Sequence, residues 1–110
     1  LDIAVPGDGP AIDRAVLEGY AKRLSEAAGR NAVYPRRLQN LGIEGTTVVQ
    51  VRIGRGSRIV DVTVVETSGH PQLDEAAIES MRRTRPLPSV PDGLNGRELM
   101  VKIPFRFKLE

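Results

Sequence analysis

The closing stretch of the chain constrains the fold most. Leu99, Val101, Ile103, Phe105 and Phe107 alternate with Met100, Lys102, Pro104, Arg106 and Lys108, a period of two that only an extended strand can use. One face is apolar and the other is mostly cationic. Both main-chain groups of an antiparallel residue point to one neighbouring strand and those of the next residue point to the other, so Pro104 shares its flank with Lys102 and Arg106. Proline has no N–H to give, and inside a strand it is tolerated where that donor would have faced solvent. The expected arrangement pairs residues 101, 103, 105 and 107 inward and leaves the other flank open, as the end of the sheet. Open flanks are either a hazard or a docking site, and this one is guarded by charge and by a proline.

Such a strand needs partners and a core, and 110 residues suffice for one domain that buries roughly two thirds of its unfolded surface without a metal or disulfide. Aromatic residues make up only 4%, so the core must be aliphatic. The absence of cysteine excludes thiol catalysis and thiolate metal sites, and a single histidine closes off most other metal chemistry. No cofactor, metal or catalytic residue is expected. The net charge is only +2, but it is uneven: residues 30 to 60 hold six Arg and one Glu, and residues 61 to 80 hold five acids and no Lys or Arg. These are local faces, not a polyanion-binding composition. No run approaches the roughly 18 apolar residues a membrane span requires.

Residues 1–10, with Pro6, Gly7, Gly9 and Pro10, read as a flexible N-terminal segment or linker remnant, and 11–110 as the folded domain. Ile12, Ala15, Val16, Tyr20, Leu24, Ala27 and Ala28 recur in steps of three and four, predicting a helix from Ala11 to about Ala28 with Gly29 as its C-cap. Tyr34-Pro35 leads into a short helix over Arg36 to Asn40 that Gly42 stops. Thr47, Val49, Val51 and Ile53 form the better face of a strand. After a turn at Gly54-Arg55-Gly56-Ser57, a return strand from Ile59 to Thr67 presents Val60, Val62 and Val64. Pro71 begins a helix with Leu73, Ala77 and Met81 on its face, and Pro86 and Pro88 end it. The expected architecture is α+β: a three-stranded antiparallel sheet with two main helices packed on one face.

Several of these segments, in this order, resemble the C-terminal domain of the TonB family. They are Tyr34-Pro35, Gly42-Ile43-Glu44-Gly45 before a Val-rich strand, Ser68-Gly69-His70-Pro71 with Leu73-Asp74 and Ala76-Ala77, and the closing Val101 to Phe107. The resemblance covers roughly residues 12 to 108. It implies a periplasmic domain of a protein anchored in the inner membrane of a Gram-negative bacterium, where an ExbB/ExbD-type motor complex associates with the membrane helix. It also implies a partner, the TonB box of an outer-membrane TonB-dependent transporter, which adds as a strand to the last strand's edge and links the proton motive force to import of cargo such as iron siderophores. The implied contacts are Met100, Lys102, Pro104, Arg106 and Lys108 on that edge, and Asn31, Ala32, Val33, Tyr34 and Pro35 in the Tyr-Pro segment. Well-studied members carry glutamine three residues before the tyrosine. Here that residue is Asn31.

Two other classes compete. A scaffolding domain of the same fold would self-pair as a homodimer or contact peptidoglycan. A nucleic-acid-binding sheet would display stacking aromatics, whereas Phe105 and Phe107 sit on the apolar face, so no nucleic acid is expected. His70 reads as a capping or surface residue. Arg82, Arg83 and Arg85 read as a solvated helix end, and Glu75 and Glu79 as surface carboxylates.

Overall fold

A computed structural model describes residues 3–5, 13–91 and 97–109. Asp13 opens helix α1 (Arg14–Arg30) by accepting a hydrogen bond from the Ala15 amide at 2.8 Å, the ordinary way to satisfy a free N–H at a helix start. Tyr20, Leu24, Ala27 and Ala28 turn its apolar stripe inward. The helix runs through Gly29, and its C-cap is Asn31, whose side-chain amide donates to the Ala27 carbonyl at 2.8 Å. Gly29 was the expected cap, but the Asn31 amide covers an end carbonyl and no left-handed glycine is needed there. Helix α2 (Arg36–Asn40) buries Leu38 and ends before Gly42, whose φ of +71° belongs to the left-handed region.

The sheet contains β2 (Gly45–Gly54), β3 (Arg58–Glu66), β4 (Leu99–Phe107) and a fourth strand, β1 (Ile3–Ala4), in the order β1-β4-β2-β3. All neighbours are antiparallel. This overturns the expected three-stranded sheet with two main helices: the described residues form four strands and three helices. The extra strand is only two residues long, too short to carry a periodicity, yet Ile3 is buried and pairs with Val101. Val5 packs against the core. The rest of the segment expected to be flexible lies outside the described residues.

Helix α3 (Pro71–Arg82) starts at the predicted proline and buries Leu73, Ala76, Ala77, Ser80 and Met81. It packs on β2 and β3, and α1 packs on β4. The core forms between these helices and the odd-numbered face of β2 and β4, where Thr47, Val49, Val51, Ile53, Leu99, Val101, Ile103, Phe105 and Phe107 are buried. β3 departs from simple alternation at two places. Arg52 faces Asp61 and Ile53 faces Ile59, so Val60 is an extra residue; Val49 faces Val64 and Val48 faces Glu66, so Val65 is another. The first bulge brings Val60 to the surface at 61% exposure, and the second keeps Glu66 exposed next to Val65, which alternation already turns outward with Asp61 and Thr63. Ile59 takes the core side in place of the expected Val60. The turn also needs Gly54, because a Cβ there would lie 2.8 Å from a Val60 methyl.

Candidate functional site

β4 is tied to β2 along its whole length, from Gly45 opposite Phe107 to Ile53 opposite Leu99. Val48 faces Pro104 in this ladder. Since Pro104 has no N–H to contribute, the alternation assigns the main-chain groups of residues 101, 103, 105 and 107 to β2 and those of 100, 102, 104 and 106 to the outer flank. Met100 finds β1 there, opposite Ala4. The expectation that the sheet ends at β4 therefore fails at Met100 and Val101. From Lys102 to Phe107, no strand among the described residues pairs with the outer flank.

The side chains of Lys102, Pro104, Arg106 and Lys108 are exposed, and Met100 is half-buried. Met100 Sδ lies 3.8 Å from the donor Gln50 Nε2. Beyond the strand, the Leu109 amide donates to a Glu44 carboxylate oxygen at 2.6 Å, which holds the chain end against the start of β2.

The Tyr-Pro segment meets this strand at one end only. The Tyr34 ring packs edge-on against Phe107, with centroids 5.4 Å apart, and its hydroxyl donates to the Ile43 carbonyl. Gln39 Nε2 donates to the Tyr34 carbonyl at 2.9 Å, and Pro35 is the N-cap of α2. Ala32 is exposed. Met100, by contrast, lies roughly 20 Å along the strand from Phe107 at the usual rise per residue. Asn31 Nδ2 donates to the Ala27 carbonyl and so caps the end of α1.

Ser80 emerges from the structure as a positioning residue. Its hydroxyl is fully buried, donates to the Ala76 carbonyl at 2.7 Å and accepts from the Val33 amide at 2.8 Å. One side chain of α3 thus holds the backbone beside Tyr34. The sequence signal was a serine among the apolar residues of that helix face. Ser80→Ala should leave the Val33 N–H without its partner and cost about 1–3 kcal/mol. The check is urea denaturation, together with faster hydrogen exchange at Val33; unchanged exchange would show that Ser80 does not hold the segment.

Asp74 organises the loop between β3 and α3. Its carboxylate accepts from Thr47 Oγ1 at 2.7 Å, the Ser68 amide at 2.9 Å, Ser68 Oγ at 2.8 Å and Thr67 Oγ1. Burial pushes the carboxyl up, but the four hydrogen bonds together outweigh it and hold the group at about 2. Gly69 supports the same turn with φ at +88°. Gly45 allows close approach, since a Cβ there would lie 3.0 Å from that of Ser68.

Residues 30–109 match the family described as Gram-negative bacterial TonB protein C-terminal, well over half of the chain. The chain belongs to the TonB C-terminal family. It is 31% identical to protein TonB of Vibrio cholerae over 77 residues, 70% of this chain, and 26% identical to protein TonB of Haemophilus ducreyi over 106 residues, 94% of this chain. It spans 31% and 37% of those two proteins, about a third of each. The fold is also that of the C-terminal domain of Helicobacter pylori TonB solved by NMR, with a TM-score of 0.74 at 24% identity, covering 92% of this chain and 87% of that one.

The motif residues of this TonB domain have physical roles of their own: Gly42 and Gly69 provide left-handed backbone, Gly45 gives clearance, and Asp74 ties the loop to β2. Phe105 and Phe107 are both 3% exposed, so they are interior residues and not a base-stacking platform. Among the described residues no group of three acidic, histidine or cysteine side chains could hold a metal. Arg83 pairs with Glu79 at 3.0 Å, while Arg82 and Arg85 are exposed at the end of α3. His70 is the N-cap of α3 by position, but its side chain makes no capping bond.

Proposed function

We propose that this domain binds an extended segment, the TonB box of an outer-membrane TonB-dependent transporter, by adding it as a strand to the outer flank of β4. The observation that supports this most directly is the outer flank of Lys102 to Phe107, with which no strand among the described residues pairs and toward which the alternation turns Pro104. Strand addition draws affinity from main-chain hydrogen bonds and specificity from alternate side chains. It suits a domain that must engage several transporters whose segments share backbone geometry more than sequence. Lys102, Arg106 and Lys108 would face the added strand's polar side chains, and Tyr34 and Pro35 would flank its end near Phe107.

In the whole protein, the domain would stand in the periplasm and be linked to an inner-membrane anchor and an ExbB/ExbD-type motor complex. It would act as a binding module that transmits the proton motive force to the transporter, and not as an enzyme. Titration with synthetic peptides covering transporter N-terminal segments should perturb amide resonances of residues 102–108. Perturbations confined to Arg82–Arg85 would sink the edge-addition reading.

A further inference from the structure

The flank proposed for the partner already carries a strand over part of its length. Ile3 faces Val101 and Ala4 faces Met100, so β1 lies on the same side of β4 toward which Lys102, Pro104 and Arg106 turn their main-chain groups. A partner strand that pairs from Lys108 past Lys102 runs into β1, because two backbones cannot occupy one flank.

β1 is a minimal occupant. Among the described residues it has two positions, and of the two β4 residues they face only Met100 directs its main-chain groups outward. Ala4 is exposed. What holds β1 is chiefly Ile3, 5% exposed, which joins the core beside β4 near α1, with the partly buried Val5 packed next to the strand. This side chain fills a socket that a strand of any origin could fill.

We propose that β1 is an exchangeable strand and that Ile3 holds the place of a branched aliphatic residue of the partner. The inference rests on the edge-addition reading and specifies its ligand: an extended segment long enough to pass Lys102, with an aliphatic side chain that enters the Ile3 socket opposite Val101. A partner pairing along the stretch from residue 100 to 106 gains outward main-chain groups at four positions, where β1 uses one. Apparent affinity is scaled by the fraction of molecules whose flank is clear.

The test is a reversible lock. The chain has no cysteine, so Ala4→Cys with Met100→Cys introduces the only two thiols, at directly opposed positions whose Cα separation suits a disulfide. Binding of the tightest transporter peptide from the titration panel is measured in the oxidised and reduced forms. Oxidation should weaken it by at least about tenfold and reduction should restore it, since the lock removes the clear-flank state. Deleting residues 1–5 should tighten binding, and the lock gives its answer even where that deletion unfolds the domain. Equal affinity in both redox forms, with residues 102–108 still perturbed, would overturn the exchange and leave edge addition standing. Failure of reduction to restore binding would overturn the exchange and leave edge addition standing on the titration of the unsubstituted domain. Dimerisation of the deletion variant in sedimentation, without tighter peptide binding, would assign the flank to a second copy of the chain and overturn the proposal.

Discussion

Truncating Phe105 to alanine is expected to destabilise the domain by about 3–5 kcal/mol, the range for deleting a buried aromatic ring from a packed core. Phe105 is 3% exposed, stacks beside Phe107 with centroids 6.5 Å apart, and faces the fully buried Thr47 across the ladder. Only 4% of the chain is aromatic, so neighbouring side chains have little bulk with which to refill the space. A domain of this size has roughly 5–15 kcal/mol of total stability, and the truncation takes a large share of it. Urea denaturation should show a lower midpoint with an unchanged slope. A loss below about 1 kcal/mol would contradict the interior position assigned to β4's odd-numbered face.

The second large effect belongs to Asp74. Asp74→Ala removes the acceptor for Thr47, Thr67 and both Ser68 donors, and Thr47 is fully buried. Hydrogen bonds to charged groups contribute about 1.5–3 kcal/mol, and an orphaned buried donor adds its desolvation cost, so a loss of about 3 kcal/mol is expected. The pH dependence has a definite sign. The folded carboxyl is held at about 2 against an ordinary 3.8, so its contribution is fully present above the ordinary value and is lost as pH falls through the folded one. The stability gap between wild type and Asp74→Asn should be constant above about pH 5 and shrink between pH 4 and pH 2. A gap that stays constant to pH 2 would mean that the charged form is not what the four donors recognise.

Much of the fold could be read from residue spacing, because spacing and burial are directly linked. The alternation of Leu99 to Phe107 became a strand with its apolar face inward, and Pro71 and Gly42 mark a helix start and a helix stop where they were expected. What escaped was set by single contacts. Ile3–Ala4 is a strand only because distant residues, Met100 and Val101, pair with it. Val60 surfaces because it is one residue too many for its partner strand, which alternation cannot encode. Asn31 displaces Gly29 as the helix end through one side-chain amide. At the candidate site, Pro104 disclosed which flank of β4 lacks a donor. Whether that flank is clear depended on β1, and the anchoring of the Tyr-Pro segment depended on Ser80, a contact between residues 47 positions apart.

The pairing of β4 also has a mechanical consequence. Nine consecutive register positions, from Gly45 with Phe107 to Ile53 with Leu99, join it to β2. Tension along the strand axis would put the rungs under shear together, so the joint yields only when many bonds give way at once, whereas peeling would open them one by one. β1 has two such positions. Under the same pull it would part first, leaving the central seam of the sheet intact.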